Sequence, residues 1–335
     1  QLPYSSGYQS MLINAGETKN VGVELTVNTV NFSTKKFSWN TTLTLSHNKN
    51  SVKALTGEAV QLYEARFGFN QNTHRIAVGE PLGQFYGYIT EGLYQVDDFN
   101  YDASTQTYTL KDGIPYHGDK GRIRPGMWKF KNLTGDDNVI DENDKTVIGN
   151  AQPKFYGGLN NSFTYKGFDL SIFLTFSYGN EVLNATKLVT SKVGSLNYNA
   201  LDVMNSSNRW MTINLDGQKV TDPGELAALN AGKTVAAYHD AQQGDNYIHS
   251  WAVEDASYLK LSNVTLGYTF PKNLIARVGL KNLRLYATGN NLLTWTKYSG
   301  FDPEVSTMKS GLTPGVDFGA YPLSRSFIFG LNVAF

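Results

Sequence analysis

The chain has 335 residues, 29 basic and 29 acidic, and only 17% of its side chains are charged, against roughly 25% in an ordinary soluble domain. Zero net charge removes any general electrostatic pull toward nucleic acid or acidic substrates, and the absence of cysteine excludes disulfides and thiol chemistry. Tyr (20), Phe (18) and Gly (32) take the place of the missing charge, and no run approaches the ~18 apolar residues of a membrane helix.

The N-terminal QLPYSSGYQSMLINAGE lacks the basic start and apolar centre of a signal peptide, so an exported protein would reach this form as a mature or partial chain. In NVGVELTVN, Val21, Val23, Leu25 and Val27 share one face of an extended chain and Gly22, Glu24, Thr26 and Asn28 the other. KFSWNTTLTLSHN repeats the pattern, with Phe37, Trp39, Leu43 and Leu45 opposite Ser38, Asn40, Thr42, Thr44 and Ser46. These runs predict strands near 20–31 and 35–48, joined by a few residues around Asn31–Thr34.

A long polar connection is predicted over 50–153. Within it, VGEPLGQFYGYITEGLYQ is dense in glycine and aromatic residues. Tyr86, Tyr88 and Tyr94, with Trp128 and the later Arg209 and Trp210, are candidates to face a ligand, because flat rings stack on sugars and clamp peptide side chains. The competing reading, a glycine-bent strand packed at a rim, is favoured for each. The acidic stretch GDDNVIDENDK offers a calcium ion the oxygens of Asp136, Asp137, Asp141 and Asp144. Its spacing departs from an EF-hand, since Leu133 and Gly135 fall where ligands belong, and a solvated acidic loop is the stronger alternative.

KFYGGLNNSFTYK and GFDLSIFLTFSY predict strands near 154–166 and 168–179 with a tight hairpin at Lys166-Gly167. A second long connection follows over 180–255. SYLKLSNVTLGYTF alternates too, with a slip near Ser262–Asn263 that predicts a bulge. NLRLYATGNNLLTW sets Leu283, Leu285, Leu293 and Trp295 against Arg284, Thr288, Asn290 and Thr294. After a third long connection, 298–323, the chain ends in RSFIFGLNVAF, alternating through Phe327, Phe329, Leu331, Val333 and Phe335.

Runs of ten or more residues exceed the average soluble strand of about five or six and match the about nine to eleven of a tilted membrane strand. Short turns alternating with long loops complete the pattern of a transmembrane antiparallel β-barrel rather than a soluble sandwich. The five histidines form no metal-binding spacing, and no nucleophile elbow or phosphate loop occurs. Nothing here predicts an enzyme.

Several ordered blocks carry a family resemblance: INAGETKNVGVEL, VGEPLGQFYGYITEGLYQ, PGMWKFKN with DNVIDENDKTVIGNAQPKFYGGLNNSFTYKGFDLSIFL, NRWM, VEDASYLKLSNVTLGYTFP, LRLYATGNNLLTWTKYSGFDPE and SFIFGLNVAF. Through nearly all of its length the chain resembles the C-terminal part of SusC/RagA-family TonB-dependent outer-membrane transporters. The resemblance implies that residues 1–335 belong to a plugged barrel of about 22 strands, with the plug domain and TonB box outside this chain. It further implies import of oligosaccharides or oligopeptides across the outer membrane, a SusD-like surface lipoprotein as partner, and energy from the TonB complex through the missing N-terminal region. A SusC-like barrel serving as a structural or assembly component of a larger outer-membrane complex is the alternative. KNLTGDDNVI is one residue longer than the family's Asp-x-Asn-x-Asp-Gly-x-Ile and lacks its glycine, which weakens the calcium reading.

The resemblance also gives the ending a role. Phe327, Phe329, Leu331, Val333 and Phe335 resemble the signal by which the barrel-assembly machinery recognises a last strand, and they would face the lipid bilayer or its interface. Phe335→Ala is expected to lower the amount of receptor assembled in the outer membrane. Its yield as a heat-resistant folded band, compared with the parent, checks this; an unchanged yield would remove the assembly role.

Overall fold

The computed structural model describes residues 16–56, 60–64, 71–135, 137–191, 199–237, 247–307 and 310–335. The alternating stretches form seven long strands: β1 (Gly16–Ser33), β2 (Phe37–Leu55), β3 (Phe155–Tyr165), β4 (Phe168–Tyr178), β5 (Tyr258–Thr269), β6 (Asn282–Thr296) and β7 (Ser326–Ala334). All seven lie in one sheet in chain order, each antiparallel to the next. The result is the up-and-down meander of a membrane barrel wall, open at β1 and β7. β1 and β2 reach 18 and 19 residues, longer than the predicted stretches and longer than a membrane crossing requires.

The three short connections lie at one end of the wall. Residues 34–36 turn β1 into β2, and the Phe37 N–H donates to Thr34 Oγ1 at 3.0 Å. Lys166 and Gly167 join β3 to β4, both at positive φ (46° and 92°), as a type I′ hairpin demands. Residues 270–281 contain one short helix, Lys272–Ile275, and end their last helical turn on Gly279 at φ 76°. Connections 56–154, 179–257 and 297–325 stand at the opposite end, close to the predicted loops.

Register shows how the two faces are kept apart. One row crosses six strands as Val27, Leu43, Leu159, Leu174, Leu261 and Leu293. The neighbouring row, on the other face, runs Asn28, Thr42, Asn160, Phe173, Asn263, Asn290 and Ser326. The predicted bulge is present: Leu174 pairs with Leu261 and Phe173 with Asn263, so Ser262 is passed over. Asn291 and Leu292 are passed over opposite it. Without these insertions every later side chain would change face.

The apolar face is exposed along its length: Leu25 is 50% accessible, Leu266 51% and Phe329 80%. In water such a continuous band would be unfavourable, whereas hydrocarbon accepts it. The polar face satisfies itself by cross-strand bonds. Thr42 Oγ1 donates to Asn28 Oδ1 at 2.8 Å, Asn263 Nδ2 to Asn290 Oδ1 at 2.7 Å, and Asn290 Nδ2 to Ser326 Oγ at 3.0 Å.

Phe173 and Tyr286 are large aromatic side chains on this inner face, and each covers a glycine. A Cβ on Gly158 would come within 2.9 Å of the Phe173 ring, and one on Gly330 would strike Tyr286. Gly267 makes the same space for charge. Arg284 of β6 reaches across β5 to Asp169 of β4, with Nε 3.0 Å from Oδ1 and Nη2 2.5 Å from Oδ2. A Cβ on Gly267 would lie 2.5 Å from both partners.

The packed core lies elsewhere, in the long connections. Phe85, Leu183, Leu188, Ile248 and Val316 bury one cluster there; Tyr88, Trp128, Phe130, Ile140 and Trp210 belong to a second.

Gly267→Val should part Asp169 from Arg284 and destabilise the wall by on the order of 1 kcal/mol. The unfolding temperature of the intact receptor, followed by its heat-modifiable gel band, should fall by a few degrees. Gly311→Ala is the control, since a Cβ there meets nothing within 4 Å, and it should leave the temperature unchanged. Equal melting of both variants would mean that the ion pair contributes nothing.

Candidate functional site

The loop end of the wall is the candidate site, and cross-links between the three long connections make it one body. Tyr88, in the first, bridges to the second: its N–H donates to the Ile248 carbonyl at 2.9 Å and its carbonyl accepts from the Ser250 N–H at 2.9 Å. Leu183, in the second, donates to the Gly315 carbonyl of the third at 2.9 Å. His74 Nε2 lies 2.9 Å from the Pro314 carbonyl while Nδ1 lies 2.9 Å from Thr73 Oγ1. Burial lowers the pKa of His74 to about 4. The ring is therefore neutral at physiological pH, with Nε2–H donating and Nδ1 accepting.

Charged side chains complete the linkage. Glu254 faces Lys187 at 3.0 Å and also accepts from the Ser299 N–H and hydroxyl, each at 2.9 Å. Burial pushes the Glu254 carboxyl up, but the Ser299 hydrogen bonds and the Lys187 charge outweigh it, so the group stays ionised with a lowered pKa. Lys187 Nζ sits 4.1 Å from the Trp251 ring centroid. Tyr298 donates its hydroxyl to Asp317 Oδ2 at 2.6 Å, and burial followed by this bond raises its pKa. Lys260, on the polar side of β5 and 3% exposed, pairs with Glu304 and lies 3.6 Å from Asp302. The FDPE stretch of the third connection is thus held against the mouth of the wall.

The predicted ligand-facing residues divide. Tyr88, Tyr94, Trp128 and Trp210 are buried, at 3%, 0%, 8% and 1% exposure, so no ring face is open for stacking. Tyr94 donates its hydroxyl to the Pro115 carbonyl at 2.7 Å, and Trp128 packs on His249 and Trp251 at centroid distances of 5.0 and 4.9 Å. Trp210 lies against Gly126, whose φ of 87° and bare Cα make room for the indole. Arg209 donates to the Met204 carbonyl at 3.1 Å, and Tyr86 is half-buried on the strand Gln84–Gly87. These four rings are packed into the loop core.

His117 belongs to the same core, among Tyr94, Phe130 and Tyr247. Burial lowers its pKa to about 4, and neither ring nitrogen has a hydrogen-bond partner among the described residues. The side chains with no site role predicted from sequence are the clamps Lys187, Glu254, Tyr298 and Asp317. All but Lys187 and Asp317 fall within the resembling blocks, but their partners lie too far away in sequence for spacing to reveal. Leu215, Phe301 and Tyr321, at 90%, 78% and 91% exposure, are the most exposed large apolar side chains of the long connections among the described residues.

Around the acidic stretch, Asp144 is fully buried. Its Oδ1 accepts from the Leu133 N–H at 2.7 Å, the Thr134 N–H at 2.9 Å and the Thr134 hydroxyl at 3.2 Å; Oδ2 accepts from the Asp141 N–H at 2.8 Å. Desolvation raises its pKa, and the hydrogen bonds from Asp141, Leu133 and Thr134 together bring it below the usual value. The carboxylate is committed to N–H and O–H donors, which compete with a cation for the same lone pairs. Asp141 accepts from the Asn143 N–H at 2.7 Å and Asp137 from the Val139 N–H at 3.2 Å. Asp136 lies outside the described residues, as does His239. Among the described residues no three His, Asp or Glu side chains are gathered as a metal site would gather them.

An open cleft of about 590 Å³ lies where the tops of β2, β4 and β5 meet the loops, lined among others by His47, Lys49, Lys154, Tyr178, Glu181 and Asp255. Its acids are engaged, Glu181 by the Asn150 N–H at 2.7 Å and Asp255 by the Ser257 N–H at 2.9 Å.

No family model matches the chain. Over its full length it is 34% identical to TonB-dependent receptor P3 and 30% identical to TonB-dependent receptor P39, both of Formosa agariphila. It is 26% identical to TonB-dependent receptor SusC of Bacteroides thetaiotaomicron. It spans 30%, 32% and 28% of those three proteins, less than a third of each. A solved structure of the RagAB peptide transporter matches all of the chain with a TM-score of 0.67 at 22% identity, over 31% of the solved chain. The chain belongs to the family of TonB-dependent receptors and forms part of the barrel.

Proposed function

We propose that the receptor containing this chain imports bulky nutrients, oligosaccharides or oligopeptides, across the outer membrane, energised by TonB and working with a SusD-like surface lipoprotein. The observation that carries the reading is the pairing of a two-faced wall, apolar outward and polar inward, with a single cross-linked loop body above one end of it. An import channel needs that polar lining for a hydrated cargo, and a lipoprotein lid needs a stiff platform. Curated relatives that are TonB-dependent receptors, SusC among them, support the same reading. The exposed loop residues Leu215, Phe301 and Tyr321 are candidates for contact with the lipoprotein or the cargo, and the protein makes and breaks no bond.

The test is purification of the full receptor in mild detergent, with identification of what stays bound, alongside uptake by cells lacking it. Retention of a SusD-like lipoprotein with a bound glycan or peptide, and loss of uptake of that cargo, is the expected result. Retention of assembly or secretion machinery with no cargo, and unchanged uptake, would overturn it.

A second prediction concerns Asp144, whose ionised carboxylate holds four donors of the loop body. Its pKa is lowered on folding. Its contribution is therefore complete above the unfolded value of about 4 and is lost as pH falls through the lower folded value. Asp144→Asn should cost on the order of 1–3 kcal/mol locally. Faster proteolysis within 132–145 and weaker lipoprotein retention should follow, with the barrel's heat-resistant band unchanged. The parent should show the same loosening only in acid below about pH 4.

A further inference from the structure

The short-turn end carries a charge pattern that the import reading does not use. Lys35 and Lys36 stand between β1 and β2, Lys166 between β3 and β4, and Lys272, Arg277 and Lys281 between β5 and β6. No acid occurs in any of the three turns, although the whole chain has as many acids as bases. All six cations are exposed, and none takes part in an ion pair among the described residues. The segregation is therefore a property of this rim and not of the composition.

The 270–281 turn is also apolar where it need not be. Ile275 is buried and anchors it, but Leu274 and Val278 are 52% and 72% exposed beside Lys272 and Arg277. Exposed aliphatic residues interleaved with cations characterise segments that lie in a membrane interface. Just inside the turns the wall carries rings in contact: Phe32 with Phe37 at 5.7 Å, Trp39 with Phe163 at 5.6 Å, and Phe168 with Tyr268 at 4.5 Å between centroids. Such a row marks headgroup depth. Lys166 Nζ lies 5.2 Å from the Tyr165 centroid, so a cation stands directly on that row.

Resting on the outer-membrane reading, we propose that this rim is a binding surface for anionic phospholipid headgroups of the leaflet bordering the short turns. Leu274 and Val278 seat among the acyl chains, and the six cations meet phosphates. The cations are spread along turns that join six strands, a curved front that matches a leaflet surrounding a barrel better than it matches a compact acidic partner. Their position beyond the aromatic row puts them at phosphate depth, and the aliphatic pair has no use against a polar polymer such as peptidoglycan.

The test uses the full receptor in detergent, titrated with phosphatidylglycerol against phosphatidylcholine, and counts retained lipids by native mass spectrometry. The parent should prefer phosphatidylglycerol, with the preference falling as salt rises. Each cation removed should weaken retention roughly fivefold, so K272Q/R277Q/K281Q should lose about a hundredfold while K272R/K281R keeps the preference. A folded, heat-modifiable triple variant that binds phosphatidylglycerol like the parent would overturn the proposal, as would equal retention of both lipids by the parent. Capture of purified peptidoglycan without lipid preference would overturn it too. Recovery of the parent outside the outer-membrane fraction would instead defeat the membrane reading on which the proposal stands.

Discussion

A chain that crosses hydrocarbon as strands must bond every backbone N–H and C=O to a neighbouring strand, because no water is there to replace the partner. The rest of this structure depends on that demand. It forces the strands into continuous ladders, and a continuous ladder fixes which face each side chain takes. The row from Val27 to Leu293 and the row from Asn28 to Ser326 are the two consequences. Where the alternation in the sequence slips, the backbone yields instead of the faces: Ser262, Asn291 and Leu292 are passed over so that Leu261 and Leu293 still point to lipid.

A wall built this way has no core of its own, because its apolar side looks outward. Cohesion on the inner side comes from hydrogen bonds, from rings laid over glycines, and from the Asp169–Arg284 pair above Gly267. The buried apolar clusters are displaced to the loop body. That body is joined to the wall by polar contacts, chiefly Lys260 with Asp302 and Glu304 and the backbone pairing of Val52 with Gly79 and Glu80. Stiffness of the loops and stability of the wall are therefore separable, which is why a change at Asp144 and a change at Gly267 should register in different measurements.

The wall was largely legible because period two is a local signal and survives without knowledge of partners. Strand positions, the Lys166-Gly167 hairpin and the Ser262 bulge all follow from neighbours in sequence, whereas the extra length of β1 and β2 does not. The loops were legible only in extent. Tyr88, Tyr94 and Trp210 carry no periodicity to say whether a ring is covered, and what covers them, such as Tyr247 beside Tyr88 or Gly126 beneath Trp210, comes from distant sequence. Asp144 resembles its acidic neighbours until the folded backbone presents donors to it. Phe173 and Tyr286 were unreadable for a related reason: an inward aromatic is anomalous on a polar face until the glycine opposite it is known.

The open edges carry the geometry one step further. Among the described residues β1 and β7 are the first and last strands of a seven-stranded meander. Seven alternating directions leave these two strands running the same way. Closing one on the other would give a parallel seam, for which an up-and-down barrel has no place. It would also match 18 residues against 9. The rest of the wall must therefore come between them, and to restore antiparallel pairing at both edges it must contribute an odd number of strands. A plugged transporter barrel of about 22 strands would require roughly 15 more, which is odd. The parity follows from strand direction alone, and it agrees with the family to which sequence and fold assign the chain.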